Sequence, residues 1–159
     1  MKKNIEKTNV MRTLDQKKIN YISHDYSATE AISGVEVATA LGQDPNRVFK
    51  TLVTIGATKA NYVFMIPVEQ ELDLKKAAKS VGEKSISMIK SKELLPLTGY
   101  IHGGCSPIGM KKQFKTVVHM TAADFDTFIF SAGKIGYQVE LPLEELKKVI
   151  RFELADIIV

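Results

Sequence analysis

Residues 50–68 read KTLVTIGATKANYVFMIPV, and two β-rich runs fill most of this stretch. The runs 50–56 and 61–68 are dominated by Val, Ile, Thr, Tyr and Phe, which are residues that strands favour. A second stretch, TFIFSAGKIGYQVEL at 127–141, alternates apolar and polar residues on both sides of a glycine-containing turn. That alternation predicts a β-hairpin.

The rest of the chain adds short strands and short helices. β-rich runs predict strands at 19–26, 85–89, 99–102 and 115–120, and helical patterns predict helices at 8–18, 33–42, 44–49, 72–82, 91–97 and 142–151. Ser33 and Glu36 stand at capping-box spacing before a stop at Gly42, while Asp44 and Ser91 are expected to cap two of the shorter helices. Strands outnumber helices and arrive in hairpin-like order. The sequence therefore predicts an α+β domain with a mixed, largely antiparallel sheet closed towards a barrel.

Length and composition favour one soluble domain. The chain has 159 residues, 45% hydrophobic and 25% charged, and no linker or repeat divides it, so we expect a single domain over 1–159. One cysteine cannot form a disulfide within the chain, which favours a reducing compartment. No apolar run is long enough to cross a bilayer and the first residues lack the apolar core of a secretion signal. We expect a cytoplasmic protein without a membrane partner.

The charge is mildly basic and unevenly placed. Twenty-two basic and 18 acidic residues give a net charge of +4. No acidic residue lies between Glu93 and Asp124, whereas Lys111, Lys112 and Lys115 fall inside that gap. A local positive field suits phosphates, and a solvated basic surface accounts for the same pattern. Composition alone favours the solvated surface.

Cys105, in the stretch GYIHGGCSPIGMKKQFK at 99–115, is the obvious candidate nucleophile. A nucleophilic cysteine needs a base, and the histidines available are His24, His102 and His119. No local signature of a thiol hydrolase surrounds Cys105, and lone cysteines are most often buried fillers. The same histidines and cysteine have no metal-ligand spacing, so we predict no metal site.

The glycines around Cys105 give a better account of the loop. Gly103 and Gly104 let backbone N–H groups approach a ligand, Pro107 stiffens the turn and Gly109 releases it. Consecutive amides in such a loop can bind an anion or a developing oxyanion. A plain tight turn fits the pattern equally well. The loop lacks the Gly-Lys-Ser/Thr ending of a nucleotide-binding P-loop.

Lys50 stands at the start of an apolar strand, where two interpretations are open. A lysine at a strand edge usually faces solvent and discourages edge pairing. It can instead point into a cavity and hold a phosphate or a hydroxyl. Tyr26 ends the preceding predicted strand and could line the same cavity, or it could be an ordinary amphipathic rim residue.

Four motifs together resemble the YbaK/EbsC family of bacterial Cys-tRNA(Pro) deacylases, relatives of the editing domain of prolyl-tRNA synthetases. They are DPNRVFKTLV, LDLKKAAKSVG, TGYIHGGCSPIGMKK and FIFSAGKIGYQVEL, in the family's order and spacing. The resemblance spans residues 19–156. It implies one α+β domain with flanking helices around a mixed, largely closed sheet. It also implies hydrolysis of mischarged aminoacyl-tRNA with neither a metal nor an organic cofactor.

The resemblance also implies a set of site residues. The family's functional lysine falls on Lys50, its glycine-rich loop on 103–109 and its second small-residue turn on 131–136. Lys50 is then the catalytic residue, and the substrate-binding residues are Tyr26, Gly103, Gly104, Cys105, Ser106, Pro107, Gly109, Ser131 and Gly133. Cys105 stands where an aliphatic residue is usual, and Gln138 where an acidic residue can occur, so we assign no carboxylate to catalysis.

The implied partners are the 3′ end of a mischarged tRNA and prolyl-tRNA synthetase. One mechanism of this type uses the thiol of the substrate cysteine to attack its own carbonyl, while the protein orients the ester and stabilises the oxyanion. Three alternatives remain at this stage. They are a non-catalytic module that binds tRNA or a synthetase, a deacylase for another amino acid such as alanine, and a phosphate-binding enzyme, for which no nucleotide signature is found.

Overall fold

A computed structural model describes residues 7–31 and 33–159. Its helices are α1 (Asn9–Gln16), α2 (Gly34–Leu41), α3 (Leu74–Val81), α4 (Ser91–Thr98) and α5 (Leu143–Leu146), with a short 3-10 helix at Met120–Asp124. Its strands are β1 (Ile22–Asp25), β2 (Phe49–Gly56), β3 (Asn61–Pro67), β4 (Ile86–Met88), β5 (Lys115–His119), β6 (Phe128–Ser131), β7 (Tyr137–Leu141) and β8 (Glu153–Ala155). The α+β class predicted from the sequence is confirmed.

The larger sheet is built on a hairpin formed by the two β-rich runs at 50–56 and 61–68, which the sequence predicts as strands. β2 pairs antiparallel with β3 from Phe49 opposite Pro67 to Ile55 opposite Asn61. The full sheet has the order β4-β2-β3-β5-β8. β4 joins it antiparallel, whereas β5 and β8 join it parallel, so the sheet is mixed.

The smaller sheet has the order β1-β7-β6 and is antiparallel throughout. It contains the β6–β7 hairpin predicted at 127–141. The two sheets meet where Val48 and Ile129 form an isolated parallel bridge, and the amide of Ile129 donates to the carbonyl of Arg47 at 3.0 Å.

The predicted closure towards a barrel is wrong. In the described part of the chain, β1, β4 and β8 each pair with a single strand, so both sheets end in edges. β1 stops at Asp25, after which the amide of Tyr26 donates to the carbonyl of Gly136 at 2.7 Å instead of extending a ladder to the other sheet. One bridge at a corner joins the sheets without closing them.

The main core fills the space between the sheets and α1. Val10, Met11 and Leu14 of α1 pack in one cluster with Phe49 and Phe128. The rings of Phe49 and Phe128 meet edge to face, with centroids 5.4 Å apart. A second cluster places Ala77 and Ala78 of α3 against Phe64 and Ile66 on the other face of the larger sheet. Side chains alternate along β2, so Phe49 and Lys50 point to opposite faces.

Helix ends follow the sequence in some places and not in others. Ser33 and Glu36 form the predicted capping box, and Gly42 ends α2 with a left-handed φ of 66°. The predicted helix at 44–49 is a turn, because the side chain of Asp44 accepts from the amide of Asn46 at 3.0 Å. Ser91 is the first residue of α4 and not its cap, since Lys90 precedes it without a side-chain cap.

Two further sequence predictions need correction. The predicted strand at 99–102 is irregular, because Gly99 ends α4 with a φ of 87° and directs the chain into the glycine loop. The predicted helix at 142–151 is regular only over α5, which leaves residues 147–150 in turns. No helix in residues 7–31 and 33–159 is long and apolar enough to span a membrane.

His119, at the end of β5, holds the C-terminal segment by a hydrogen bond, and this contact should make the stability of the protein depend on pH. Its buried ring accepts from the amide of Ile157 through Nδ1 at 3.3 Å, with Asp156 and Lys76 beside it. Burial lowers the pKa of His119, although Asp156 opposes that effect. Stability from the neutral ring is therefore complete above its unfolded pKa of about 6.5 and is lost as pH falls through the lower folded value.

We expect the melting temperature of the wild-type protein to fall more between pH 7 and pH 5 than that of a His119→Asn variant. Protonating Nδ1 removes its acceptor for the Ile157 amide, and the asparagine does not titrate. Thermal melts at matched ionic strength measure the difference. Equal decreases in the two proteins would contradict this role for His119.

Candidate functional site

A cavity of about 440 Å³ opens at the corner where the two sheets meet. Its walls come from the first turn of α2, the start of β2, the glycine loop and the β6–β7 hairpin. The lining residues are Tyr26, Ser33, Gly34, Val35, Glu36, Val37, Val48, Phe49, Lys50, Thr51, Leu52, Val68, Leu94, His102, Gly103, Cys105, Ser131 and Gln138. A volume of this size is in the range of small-molecule sites.

Lys50 contributes a positive charge to this cavity. It lies opposite Ile66 in the β2–β3 pair and is half-buried. No described residue forms a hydrogen bond or an ion pair with its ammonium group at contact distance. Burial lowers the pKa of Lys50, and the charge of Glu71 partly opposes that shift. Desolvating a cation without a close partner is unfavourable for folding, so Lys50 is placed for a ligand better than for stability.

The glycine loop brings only two of its predicted residues to the cavity wall, Gly103 and Cys105. Gly103 has a φ of 89°, a conformation that favours glycine. Gly104 packs tightly against the second turn, since a Cβ there would lie 3.1 Å from the backbone nitrogen of Ile135. The two turns implied by the family resemblance are therefore in direct contact.

Cys105 is a buried thiol in an apolar setting. It clusters with Val53, Val63 and Phe114. Burial raises the pKa of the Cys105 thiol to about 12. A thiol with this pKa is almost entirely protonated at neutral pH, and only the thiolate is a strong nucleophile. The surroundings of Cys105 thus oppose a nucleophilic role.

The other loop residues shape the loop and do not line the cavity. Ser106 is fully buried, and its hydroxyl accepts from the amide of Ile108 at 3.4 Å. Gly109, with a φ of 80°, lies against the hydroxyl of Tyr100, which donates to the carbonyl of Ile108. Pro107 is also buried and absent from the cavity wall.

The second turn divides between two cavities. Ser131 lines the main cavity, whereas Gly133 lines a separate one with Thr8 and Tyr100. The amide of Gly133 donates to the hydroxyl oxygen of Ser131 at 3.1 Å, which fixes that side chain. Tyr26 is buried and lines the main cavity, and no described residue hydrogen-bonds to its hydroxyl.

The structure thus brings five of the ten predicted site residues to one cavity: Tyr26, Lys50, Gly103, Cys105 and Ser131. Gly104, Ser106, Pro107, Gly109 and Gly133 lie behind it or beside it. Their assignment to substrate binding stays a prediction, as does the catalytic role of Lys50.

Sequence reasoning missed three contributors to the cavity. The first turn of α2 lines the cavity. The capping box at Ser33 and Glu36 predicted where this helix begins, but not that its first turn would face the cavity. Thr51 places a buried hydroxyl there that has no partner among the described residues. Gln138 is buried at the wall; the family resemblance marked its position as one where an acidic residue can occur, but no role was assigned to the glutamine itself.

No group of three or more His, Cys, Asp or Glu side chains able to hold a metal ion occurs in residues 7–31 and 33–159. The polar side chains at the cavity wall are instead a lysine, several hydroxyls, an amide, the imidazole of His102 and the single carboxylate of Glu36. Such groups suit an organic ligand that carries oxygen atoms.

Known proteins resemble this chain in sequence and in fold. The family described as "Aminoacyl-tRNA editing domain" matches residues 29–149. A protein of Enterococcus faecalis named "Putative Cys-tRNA(Pro)/Cys-tRNA(Cys) deacylase EbsC" is 45% identical over 157 residues, which cover 98% of this chain and 96% of that protein. A proline–tRNA ligase of Thermodesulfovibrio yellowstonii is 27% identical over 122 residues, covering 77% of this chain and 21% of the ligase.

Solved structures agree on the fold. A structure titled "Crystal structure of a putative trans-editing enzyme for prolyl tRNA synthetase" superposes with a TM-score of 0.80 at 20% identity, covering 97% of this chain and 99% of the other. A "hypothetical protein APE2540" gives a TM-score of 0.82 at 19% identity, covering 94% and 99%. The family resemblance inferred from the four motifs is confirmed, and this chain belongs to the family of aminoacyl-tRNA editing domains.

Proposed function

We propose that this protein is a trans-editing deacylase that hydrolyses the ester of mischarged aminoacyl-tRNA, with Cys-tRNA(Pro) as its preferred substrate. The observation that carries the proposal is the position of Lys50: it is half-buried and lines the same cavity as Gly103 and Cys105 of the glycine loop. The relative at 45% identity, whose name includes Cys-tRNA(Pro) deacylase, supports the choice of substrate.

The need for such an activity follows from the similar sizes of cysteine and proline. A hydrophobic pocket distinguishes ligands that differ by one small group by only about 1–3 kcal/mol, so a synthetase that activates proline also accepts cysteine. A second site then has to remove the wrong product. The cavity has apolar walls from Val35, Val48, Leu52 and Leu94, which suit a small aminoacyl side chain.

The chemistry requires positioning more than strong acids or bases, because the substrate is an activated ester. Attack on the carbonyl carbon makes its oxygen negative, and the ester C–O bond then breaks to release the ribose oxygen of the tRNA. Lys50 is a cation with three N–H donors, suited to the terminal phosphate or to the ribose hydroxyls. Backbone amides of the glycine loop near Gly103 are suited to the developing oxyanion.

Neither the Cys105 thiol nor the Lys50 ammonium group is a good nucleophile. The raised pKa of Cys105 keeps its thiol protonated. Lys50 is suited to act as a cation, because the ordinary pKa of a lysine is about 10.4. The attacking atom then comes from water or from the thiol of the substrate cysteine. Comparing Cys-, Ala- and Ser-charged tRNA(Pro) separates these two routes, since only the first carries a thiol. Faster hydrolysis of the alanyl ester would instead assign the protein to alanine editing.

The first prediction of the proposed deacylase function concerns Cys105. We expect Cys105→Ala to keep its single-turnover rate on Cys-tRNA(Pro) within about threefold of wild type, because the thiol is protonated and only the backbone of this residue is needed. A folded Cys105→Ala protein that loses about 100-fold, the scale of a missing acid or base, would show that the thiol takes part in the chemistry.

The second prediction concerns tRNA recognition. A net charge of +4 neutralises few phosphates, so binding to tRNA should be weak, and it should weaken further as salt is raised. One small domain reads little of the tRNA body, and we propose that prolyl-tRNA synthetase presents the acceptor end. Filter binding and deacylation at 50 and 200 mM salt, with several tRNA bodies carrying cysteine, measure this. Sharp discrimination among those bodies by the protein alone would contradict it.

The third prediction concerns Lys50. We expect Lys50→Ala and Lys50→Met to abolish deacylation and to melt no lower than wild type, because removing a partly desolvated cation relieves a folding cost. Lys50→Arg should recover little activity, since the guanidinium is larger and planar. Single-turnover hydrolysis and thermal melts measure these outcomes.

Lys75→Ala is the matched control for Lys50→Ala, since Lys75 is exposed on α3 and the net charge changes equally. It should retain wild-type activity. A folded Lys50→Ala protein with a wild-type rate would remove Lys50 from the site and restore its interpretation as an ordinary strand-edge lysine.

A further inference from the structure

Gln138 is a buried polar residue at the cavity wall, and only one of the two polar atoms of its side-chain amide forms a hydrogen bond. Its exposed fraction is 5%, and its Oε1 accepts from Nε2 of Gln43 at 2.9 Å. No described residue accepts a hydrogen bond from the Nε2 of Gln138. This Nε2 keeps some exposed surface, unlike the buried and unpaired Oε1 of Gln43, and Gln138 lines the cavity, so its Nε2 is free to donate to a ligand that accepts a hydrogen bond.

Gln43 controls which half of the Gln138 amide faces the cavity. Gln43 directly follows Gly42 at the end of α2, where its own amide donates to the carbonyl of Ala38 at 2.8 Å. Its backbone is therefore fixed, and its side chain reaches β7 from behind the cavity wall. Because the donor of Gln43 occupies Oε1 of Gln138, the Nε2 of Gln138 is directed away from Gln43.

A second donor stands next to Gln138. Ser131 of β6 lies directly opposite Gln138 of β7, and directly opposed side chains share one face of the sheet. The hydroxyl oxygen of Ser131 already accepts from the amide of Gly133, so its O–H remains to donate. Two neighbouring side-chain donors on one wall suit one oxygen that gains negative charge.

The other cavity groups match this arrangement. Glu36 is the one carboxylate among the lining residues, and it accepts from the backbone amide of Ser33 in the capping box. The remaining polar lining groups include the ammonium of Lys50 and the hydroxyl of Tyr26. Donors dominate the wall, which favours recognition of carbonyl and hydroxyl oxygens over capture of a substrate ammonium.

We propose that Gln138 is a catalytic hydrogen-bond donor to the carbonyl oxygen of the aminoacyl ester, acting beside Ser131, and that Gln43 is the positioning residue that turns the Gln138 amide towards it. This inference rests on the proposed deacylase function. The oxyanion site would then consist of two side-chain donors, Gln138 and Ser131, together with the backbone amides near Gly103.

The test uses variants at both glutamines in single-turnover hydrolysis of Cys-tRNA(Pro). Gln138→Leu should lower kcat about 10- to 100-fold with little change in KM, because the donor matters most when the carbonyl oxygen is negative. Gln43→Glu should cause a similar loss. Its carboxylate can only accept, so the Gln138 amide rotates and presents Oε1 to the ester. Gln43→Met should lose only a few-fold, since it leaves Gln138 free to rotate.

Gln138→Glu adds a readout that a purely structural role would not change. Its carboxylate should repel the developing oxyanion at pH 8, and its protonated carboxyl should donate at pH 5. The rate ratio of Gln138→Glu to wild type should therefore rise towards acidic pH, and that of Gln138→Leu should stay flat. Thermal melts confirm that each variant is folded.

The outcomes separate this inference from the proposed function. An active wild-type enzyme together with a folded Gln138→Leu variant at a wild-type rate would overturn the role of Gln138 and leave the deacylase function intact. Equal rates for Gln43→Glu and Gln43→Met would overturn the positioning role of Gln43. A wild-type protein inactive on every aminoacyl-tRNA tested would overturn the function and this inference together.

Discussion

The bridge between Val48 and Ile129 is the contact on which the site depends. It joins the two sheets at one corner, with the amide of Ile129 bonded to the carbonyl of Arg47 and the amide of Val68 bonded to the carbonyl of Val48. Ala38 of α2 packs into the same seam with Val48, Val68 and Ile129. One short run of contacts therefore fixes α2, the start of β2 and the β6–β7 hairpin relative to each other. Because each of these elements forms a wall of the cavity, the seam helps to hold the site residues in place.

The incomplete closure of the sheets is what leaves room for this cavity. Had the smaller sheet continued pairing along β2, the ladder would have filled the corner with strand backbone and apolar side chains. Instead, the chain turns at Asp44 before β2 begins, and the loops after α4 and β6 pack against each other beside the cavity. Gly104 permits the close approach of those loops, since a side chain there would press on the backbone at Ile135. Gly104 of the loop thus serves loop-to-loop packing.

Local sequence signals were sufficient for the elements whose pairing is local. The β6–β7 hairpin follows from alternation around a turn, the capping box of α2 follows from its cap residues, and the β-rich runs at 50–56 and 61–68 are enough to predict β2 and β3 as strands. The strand expected at 99–102 failed because Gly99 closes α4 and sends the chain into a loop. The barrel failed because closure depends on which distant edges meet, and alternation within one strand does not specify its neighbours. Gln43 and Gln138, 95 positions apart, meet only through tertiary contact, so no spacing in the sequence could have paired them.

Burial explains why the cysteine and the lysine in one cavity serve different purposes. The apolar contacts of Cys105 with Val53, Val63 and Phe114 disfavour its thiolate. The burial that packs the loop therefore also makes the thiol unreactive as a nucleophile. Lys50 is only partly desolvated, and an anionic ligand would compensate its lost hydration. Under the proposed deacylase function, the apolar face of the site would hold the aminoacyl side chain, and the charged and hydrogen-bonding groups would face the oxygens of the ester and the nucleotide. Such a cavity would activate an ester through the placement of donors, which would account for a site without an obvious nucleophile.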